Sequence, residues 1–263
     1  MVFKIIYTLL ACYLLGGIFL YIIQDKIIFQ PDLLHPDYKY DFKPKYKEAN
    51  FNCPSGDTIN TLYFETKHKR KGVIFYHHGN SQDLSLWGYE AEPVTRLGYD
   101  VFMYDYPNFG KSTGKLSTDN LFSDANFLLK WLQEKNKDTP IILYGRSLGT
   151  GIVAKIASED HSISKVILET PYYSMSRMAQ TFIGIYPMSL ILRFKIRTFQ
   201  YLPKITCPIY LLHGDHDELI PIKQAKRLVK KNKLAELTII KGGNHNDLPL
   251  HKEFREKIFE VLR

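Results

Sequence analysis

Short apolar runs that alternate with amphipathic stretches cover most of the chain from residue 73 onward. Strands are predicted at residues 73–77, 100–104, 141–144, 165–169, 209–213 and 237–240. Helices are predicted between and after them, at residues 85–97, 118–134, 148–158, 222–231 and from His251 onward. Strands that are joined through helices run parallel, because a right-handed crossover returns the chain to the same end of the sheet. The pattern therefore predicts an α/β fold, with a mostly parallel central sheet and helices on both faces.

Two segments depart from this alternation. Residues 49–51 and 60–65, which precede it, have strand character, and we expect them to form an antiparallel edge of the sheet. Residues 171–204, called the insert below, separate two predicted strands and are rich in apolar side chains. The insert is too long for a plain crossover helix. It is interpreted as a short apolar lid over the open end of the sheet, with ordinary core packing as the alternative.

The N-terminal segment has the length and composition of a membrane anchor. Residues 5–23 carry no charged side chain and would extend roughly 28 Å as a helix, close to the hydrocarbon thickness of a bilayer. No small-x-small cleavage site follows the apolar run, which favours an N-terminal transmembrane helix over a cleaved signal peptide. We predict an anchor at residues 1–26 and one α/β domain at residues 27–263. The flanking lysines are too evenly distributed to assign a side of the membrane to the domain.

Charge and cysteine content argue against a nucleic-acid-binding protein, a disulfide-rich protein and a zinc protein. The net charge is +8, and a cluster of lysine and arginine residues lies at 223–233. This cluster is interpreted as a solvated helix face, with attraction to anionic lipid headgroups as the alternative. No recognition motif for nucleic acid accompanies it, so nucleic acid is not an expected partner. Cys12, Cys53 and Cys207 are odd in number and widely spaced, and they indicate neither a disulfide framework nor a zinc site. We expect no metal and no cofactor.

A Gly-x-Ser-x-Gly motif, from Gly145 to Gly149, follows the predicted strand at 141–144 and opens the next predicted helix. In that context the motif forms a sharp strand-to-helix turn that exposes the serine. Small residues are needed two positions before and after the serine, because the turn packs closely on itself. The helix N-terminus adds free N–H groups and a positive dipole beside the hydroxyl. Ser147 is therefore the candidate nucleophile.

A nucleophilic serine needs a general base, which in turn needs an acid to orient it. The chain order typical of this arrangement is serine, acid, histidine. His245 follows the predicted strand at 237–240 and is the candidate base. Asp215, Asp217 and Glu218 follow the strand at 209–213, and spacing alone leaves all three open as the acid. These loops leave the carboxyl ends of parallel strands, which is where sites in such sheets form.

The oxyanion that develops during attack on a carbonyl needs hydrogen-bond donors. The backbone N–H of Leu148, next after the serine, is one candidate. The second is expected from the loop that follows the strand at 73–77, where we select the backbone N–H of Asn80. Gly79 allows the backbone of this loop to approach closely.

These motifs occur along the whole chain as Ile28-Phe29-Gln30-Pro31, His78-Gly79-Asn80, Asp105-Tyr106, Gly110-Lys111-Ser112-x-Gly114, Gly145-Arg146-Ser147-Leu148-Gly149, His213-Gly214-x-x-Asp217 and His245-Asn246-Asp247. In this combination the chain resembles the membrane-anchored branch of the α/β-hydrolase-domain family. The resemblance implies that Asp217, rather than Asp215, is the acid, and it supports Asn80 as an oxyanion donor. Pro107 departs from the family pattern, which usually has a small or basic residue after the tyrosine.

The resemblance implies a membrane-anchored serine hydrolase that cleaves ester or thioester bonds through an acyl-enzyme on Ser147. Members of the family include lipid esterases, acylglycerol lipases and depalmitoylating thioesterases. An apolar lid and a membrane tether favour a lipidic or acylated substrate, because both place the protein at an acyl-rich interface. The alternatives are an aminopeptidase-like serine peptidase of the same fold and a non-catalytic scaffold.

Overall fold

The computed structural model describes all 263 residues, and an eight-stranded sheet forms its centre. The strands are Tyr46–Asn52 (β1), Thr58–Phe64 (β2), Gly72–His77 (β3), Tyr99–Tyr104 (β4), Ile141–Arg146 (β5), Lys165–Glu169 (β6), Ile209–Gly214 (β7) and Ala235–Ile240 (β8). Their order across the sheet is β1-β2-β4-β3-β5-β6-β7-β8. The strands from β3 to β8 pair in parallel, and β2 pairs antiparallel with β1 and β4. The predicted parallel sheet with an antiparallel edge is confirmed.

Ten α-helices accompany the sheet: Val2–Ile28 (α1), Leu84–Trp87 (α2), Ala91–Arg96 (α3), Thr118–Lys135 (α4), Leu148–Ala157 (α5), Met175–Phe182 (α6), Met188–Ile191 (α7), Thr198–Tyr201 (α8), Lys223–Leu228 (α9) and Lys252–Val261 (α10). Alternate residues of the central strands enter two hydrophobic clusters, because successive side chains of a strand point to opposite faces. Phe75 and Phe102 belong to the cluster that α4 and α5 cover. Ile74 and Val101 belong to the cluster beneath α2, α3 and α10. The expected helices on both faces are therefore present.

The region predicted as a single helix at residues 85–97 is helical in the structure, but it is not one continuous α-helix. The structure divides this region into α2 and α3, with a 3₁₀ turn at Gly88–Glu90 between them. The ring of Phe42 packs so closely against Gly88 that a Cβ there would clash with it. Pro93 lies in the first turn of α3, where its missing N–H removes no intrahelical hydrogen bond. A new helix start before the proline therefore suits the sequence better than one continuous helix.

The N-terminal helix α1 is long and apolar enough to cross a membrane, by length and composition. Most of its side chains are exposed. The insert contains α6, α7 and α8, and it packs against both α1 and α5. The ring of Tyr186 stacks on that of Tyr13 at a centroid distance of 4.6 Å. The division into an anchor at residues 1–26 and a domain at residues 27–263, with a lid at 171–204, stays a prediction.

The order of the strands indicates where in the sheet a ligand site is expected. Strand β3 lies between β4 and β5, so the chain moves outward in one direction to β4 and later in the other direction to β5. Ligand sites of parallel α/β sheets lie beyond the carboxyl ends of the strands at such a reversal. The loop after β3 contains Asn80, and the turn after β5 contains Ser147. The fold therefore brings two of the predicted site residues to the same crevice.

Candidate active site

The turn between β5 and α5 holds Ser147 in a backbone conformation that non-glycine residues rarely adopt, with φ at 50°. The backbone N–H of Ser147 donates to the carbonyl of Glu169, at 2.9 Å, which ties the turn to the neighbouring strand. A Cβ at Gly149 would clash with the carbonyl of His77, and one at Gly145 would clash with the backbone of Gly149. Both flanking glycines are therefore required by close backbone packing, as the motif predicts.

Replacing Gly149 with alanine is expected to lower the free energy of unfolding by about 1–3 kcal/mol, the usual range for overpacking. The added methyl group has no flexible neighbour to displace, because the carbonyl of His77 is part of β3. Gly184→Ala is the matched control, since nothing lies within 4 Å of a Cβ at Gly184. Urea unfolding of both variants in detergent measures the difference. Equal stabilities would contradict the packing argument.

Three side chains from three separate loops form one hydrogen-bonded row. The Nε2 atom of His245 lies 3.0 Å from Oγ of Ser147, and its Nδ1 atom lies 2.8 Å from Oδ2 of Asp217. All three residues are buried, with between 5% and 9% of their surface exposed. Ser147 follows β5, Asp217 follows β7 and His245 follows β8, so each lies beyond the carboxyl end of a strand.

The environment of Asp217 determines which nitrogen of His245 carries the proton. Burial alone would raise the pKa of Asp217, but hydrogen bonds from His213 and His245 outweigh it and hold this pKa well below its usual range. The ionised carboxylate can only accept hydrogen bonds, so Nδ1 of His245 must be the donor. Its Nε2 atom then has a free lone pair toward the hydroxyl of Ser147. This arrangement can remove a proton from the serine.

The two other acids that spacing left open do not contact His245. Asp215 is exposed, and its Oδ1 accepts a hydrogen bond from the backbone N–H of Gly242 at 2.7 Å. Glu218 is also exposed. Asp217 is turned inward because its Oδ1 accepts from the backbone N–H groups of two following residues, at 3.0 and 2.7 Å, which leaves Oδ2 for the histidine.

The two candidate oxyanion donors line the same cavity as Ser147. The backbone N–H of Leu148 begins α5, where the first N–H groups have no partner within the helix. The backbone N–H of Asn80 has no hydrogen-bond partner in the structure. The side chain of Asn80 donates to the carbonyl of Ile28 at 2.6 Å, and its own carbonyl accepts from the N–H of Gln30 at 2.8 Å. The end of α1 therefore holds this loop in place.

A cavity of about 410 Å³ lies beside Ser147. This volume falls in the range of about 300–1,000 Å³ that is common for small-molecule sites. Helix α6 supplies one apolar wall through Met175, Met178 and Phe182, and the end of α1 supplies another through Ile27 and Ile28. The cavity therefore offers an apolar space that ends at a hydroxyl, an imidazole and two unpaired N–H groups.

Sequence reasoning missed three contributors to this site. His213, the first residue of the His-Gly-x-x-Asp motif, places its Nε2 atom 3.2 Å from Oδ2 of Asp217. Arg146, the variable residue before the serine, lines the cavity and pairs with Glu169 at 3.3 Å. Ile27 and Ile28, at the end of α1, also line the cavity, although sequence reasoning gave these first residues of the predicted domain no part in the site. The apolar Ile27-Ile28-Phe29 run after the charged pair at 25–26 was the available signal for this last contribution.

Comparison with known proteins identifies a family model and several curated proteins to which this chain is similar. A family model described as the alpha/beta hydrolase fold matches residues 72–190. Alpha/beta hydrolase domain-containing protein 17C of Xenopus tropicalis is 28% identical over 245 residues, which cover 87% of this chain and 76% of the relative. The human protein of the same name is 29% identical over 200 residues, 72% of this chain and 57% of the relative. Protein 17B of Xenopus tropicalis is 28% identical, over 86% of this chain and 79% of its own length.

Solved structures with the same fold include esterases. An esterase of Pyrococcus furiosus superposes with a TM-score of 0.72 at 19% identity, over 89% of this chain and 97% of the esterase. Est1E from Butyrivibrio proteoclasticus, in a structure with bound ferulic acid, has a TM-score of 0.67 at 19% identity, over 81% of this chain and 96% of its own. At these identities the superpositions establish the fold, and the chemistry must be argued from the site.

Proposed function

Because the chain belongs to the α/β-hydrolase-domain family and is a hydrolase, we propose that it is a membrane-tethered serine hydrolase of ester or thioester bonds in lipidic or acylated substrates. One observation carries the proposal: the hydrogen-bonded row of Ser147, His245 and Asp217 lies at the end of an apolar cavity. Helix α1 is proposed as the tether, on the strength of its length and composition.

In the proposed reaction, the hydroxyl oxygen of Ser147 attacks the substrate carbonyl carbon while its proton passes to Nε2 of His245. The N–H groups of Leu148 and Asn80 donate to the tetrahedral oxyanion. When the intermediate collapses, the departing alcohol or thiol takes the proton from the imidazolium, and the acyl group remains on the serine. Water then gives a proton to the same histidine as its oxygen attacks the acyl carbonyl. Collapse of this second intermediate breaks the bond to Oγ of Ser147, which takes the proton back from the imidazolium, and the carboxylic acid is released. Asp217 stabilises the imidazolium throughout.

The lining of the cavity supports an acyl chain as the group that is bound. Most of the wall is aliphatic or aromatic, and burying an acyl chain there removes apolar surface from water. An aminopeptidase would need an anionic group to hold the free amine of its substrate, and no carboxylate lines this cavity. The charged side chain in the wall is Arg146, which is already paired with Glu169 and Glu90.

For p-nitrophenyl esters, kcat/KM is expected to rise roughly fourfold with each added methylene, because burying a CH₂ group contributes about 0.8 kcal/mol. The rise should stop when the chain fills the cavity. Steady-state hydrolysis by the full chain in detergent, with esters of increasing length, measures this dependence. The Ser147→Ala variant, prepared in the same way, gives the background rate.

Aminoacyl p-nitroanilides in the same assay test the peptidase alternative. If p-nitroaniline is released from these amides faster than p-nitrophenol is released from the longer esters, a peptidase replaces the esterase as the proposed function. Failure to hydrolyse any ester or amide, together with no reaction with a fluorophosphonate probe, would favour the non-catalytic scaffold.

A further inference from the structure

Part of the insert has the composition of a membrane-embedded segment. Residues 178–192 contain no charged side chain, whereas Arg177 precedes them and Arg193 follows them. Three large apolar side chains of this segment project into the surroundings: Phe182 is 57% exposed, Ile185 is 75% exposed and Leu190 is 77% exposed. Arginines at the ends of apolar segments are suited to the headgroup level of a bilayer.

The segment also extends along α1 toward the middle of its apolar run. Ile185 and Tyr186 contact Tyr13, which lies about 12 Å of helix from Ile5 and about 15 Å from Ile23. The close approach is possible because Gly16 and Gly17 have no side chain where Tyr186 packs against the helix. If α1 spans a bilayer, the tip of the insert therefore reaches roughly half of its hydrocarbon depth.

The backbone at this tip is bonded in a way that suits a medium without water. The side-chain amide of Gln180 donates to the carbonyls of Ile183 and Gly184, at 3.3 and 2.9 Å. The hydroxyl of Tyr13 donates to the next carbonyl, that of Ile185, at 3.0 Å. Three consecutive loop carbonyls are thus satisfied by side chains. Non-helical backbone at membrane depth requires such internal partners, because hydrocarbon offers none.

Polar contacts at the other end of the segment indicate where the interface lies. The guanidinium of Arg193 pairs with Asp25 at 3.1 Å and lies over the ring of Tyr21 at 5.5 Å. The backbone N–H of Arg193 donates to the side chain of Gln24, at 2.6 Å. These groups cluster where α1 leaves its apolar run. The segment therefore descends through α6, turns beside Tyr13 and returns to the polar level at Arg193.

We propose that residues 178–192 enter the hydrocarbon layer of the bilayer as a re-entrant segment beside α1, so that the cavity at Ser147 opens toward lipid. This inference rests on the proposed membrane attachment. Phe182 and Ile183 belong both to the segment and to the wall of the cavity. An acyl chain can then pass from the bilayer to the serine along apolar surface. The N-terminal helix and the insert together form the entrance, and the helix is more than a tether.

Environment-sensitive fluorophores on single cysteines test the depth of the segment. The full chain is labelled at the exposed Cys12, at Leu190→Cys with Cys12→Ser, or at Leu250→Cys with Cys12→Ser. Leu250 is the matched control because it is 78% exposed, and it lies after β8, outside both α1 and the insert. Cys53 and Cys207 stay unlabelled, since both are buried and burial raises their thiol pKa values, to about 12 and about 11.

Each labelled protein is reconstituted into phosphatidylcholine vesicles that carry a nitroxide quencher on the acyl chain. We expect the labels at positions 12 and 190 to lose most of their fluorescence, and the label at position 250 to retain it. Quenching at position 12 without quenching at 190 would overturn the proposal, and so would a label at 190 that is shielded from water but not reached by lipid. Circular dichroism verifies that each variant is folded. Because no turnover is measured, failure of the hydrolase proposal would be recognised separately, through the fluorophosphonate probe.

Discussion

Replacing Ser147 with alanine is expected to lower kcat by about 10⁶-fold, the loss seen when a nucleophile is removed from residues that act as a unit. The alanine methyl group has no proton to transfer and no oxygen to form an acyl-enzyme, while the imidazole and the N–H donors remain. The residual rate should come from binding and the oxyanion donors. Hydrolysis of a medium-chain p-nitrophenyl ester and covalent labelling by a fluorophosphonate measure the effect.

Ser158→Ala is the matched control for this variant. Ser158 is also a buried serine, but it lies at the far end of α5, where its hydroxyl donates to the carbonyl of Lys155 at 2.6 Å. Its loss should leave ester hydrolysis and probe labelling close to those of the unaltered protein. Undiminished labelling of Ser147→Ala, with the protein folded by circular dichroism, would contradict the assignment of the nucleophile.

The parallel sheet and the turn at Ser147 were predictable because their signals are local. A buried strand shows itself as a short apolar run, and the run at 141–144 leads directly into the Gly-x-Ser-x-Gly motif. Strand–helix alternation then brings the carboxyl ends of all parallel strands to one edge. This general geometry is sufficient to bring the loops of Asn80, Asp217 and His245 near Ser147, although it does not determine any distance between them.

The choice between Asp215 and Asp217 needed information that spacing lacks. The two residues differ by two positions in one loop, and either could face the histidine if the loop turned differently. The structure turns Asp217 inward through hydrogen bonds from Leu219 and Ile220, and Asp215 outward to Gly242. Whether a carboxylate accepts hydrogen bonds from the backbone N–H groups that follow it depends on the backbone dihedral angles of the loop. The amino-acid sequence alone does not give these angles. The family resemblance supplied the choice instead.

The contact between α1 and the insert could not be predicted from the sequence. It joins residues more than 160 positions apart, such as Gln24 and Ile191 or Tyr13 and Ile185. Each segment alone is consistent with several roles, because apolar surface is not directional. The pairing is determined by shape, through the glycines opposite Tyr186, and by a few polar side chains. These glycines and polar side chains indicate a contact only when both of the segments that form it are known.

Replacing Asp217 with asparagine is expected to lower kcat by about 10⁴-fold while leaving the fold intact, as when the acid of a comparable triad becomes an amide. A neutral amide does not stabilise the imidazolium that forms during attack. Its NH₂ group also donates toward Nδ1 of His245, which moves the ring proton to Nε2 and removes the lone pair that faces Ser147. Steady-state hydrolysis of the same ester measures the loss. Asp215→Asn is the matched control and should remain within a few-fold of the unaltered rate, because an amide oxygen still accepts from the N–H of Gly242.

The same substitution has a signature in the pH dependence of stability. The pKa of Asp217 is depressed in the folded protein, so its ionised form contributes stability above the unfolded pKa of about 3.9. That contribution is lost as the pH falls from there through the folded pKa. Urea unfolding in detergent measures the difference in free energy of unfolding between the unaltered protein and Asp217→Asn. This difference should shrink as the pH is lowered from about 5 to the lowest pH at which the protein is still folded. A difference independent of pH over that range would mean that the carboxylate is not held ionised by His213 and His245.

For the activity measurement, a larger loss of kcat in Asp215→Asn than in Asp217→Asn would reassign the acid of the triad to Asp215.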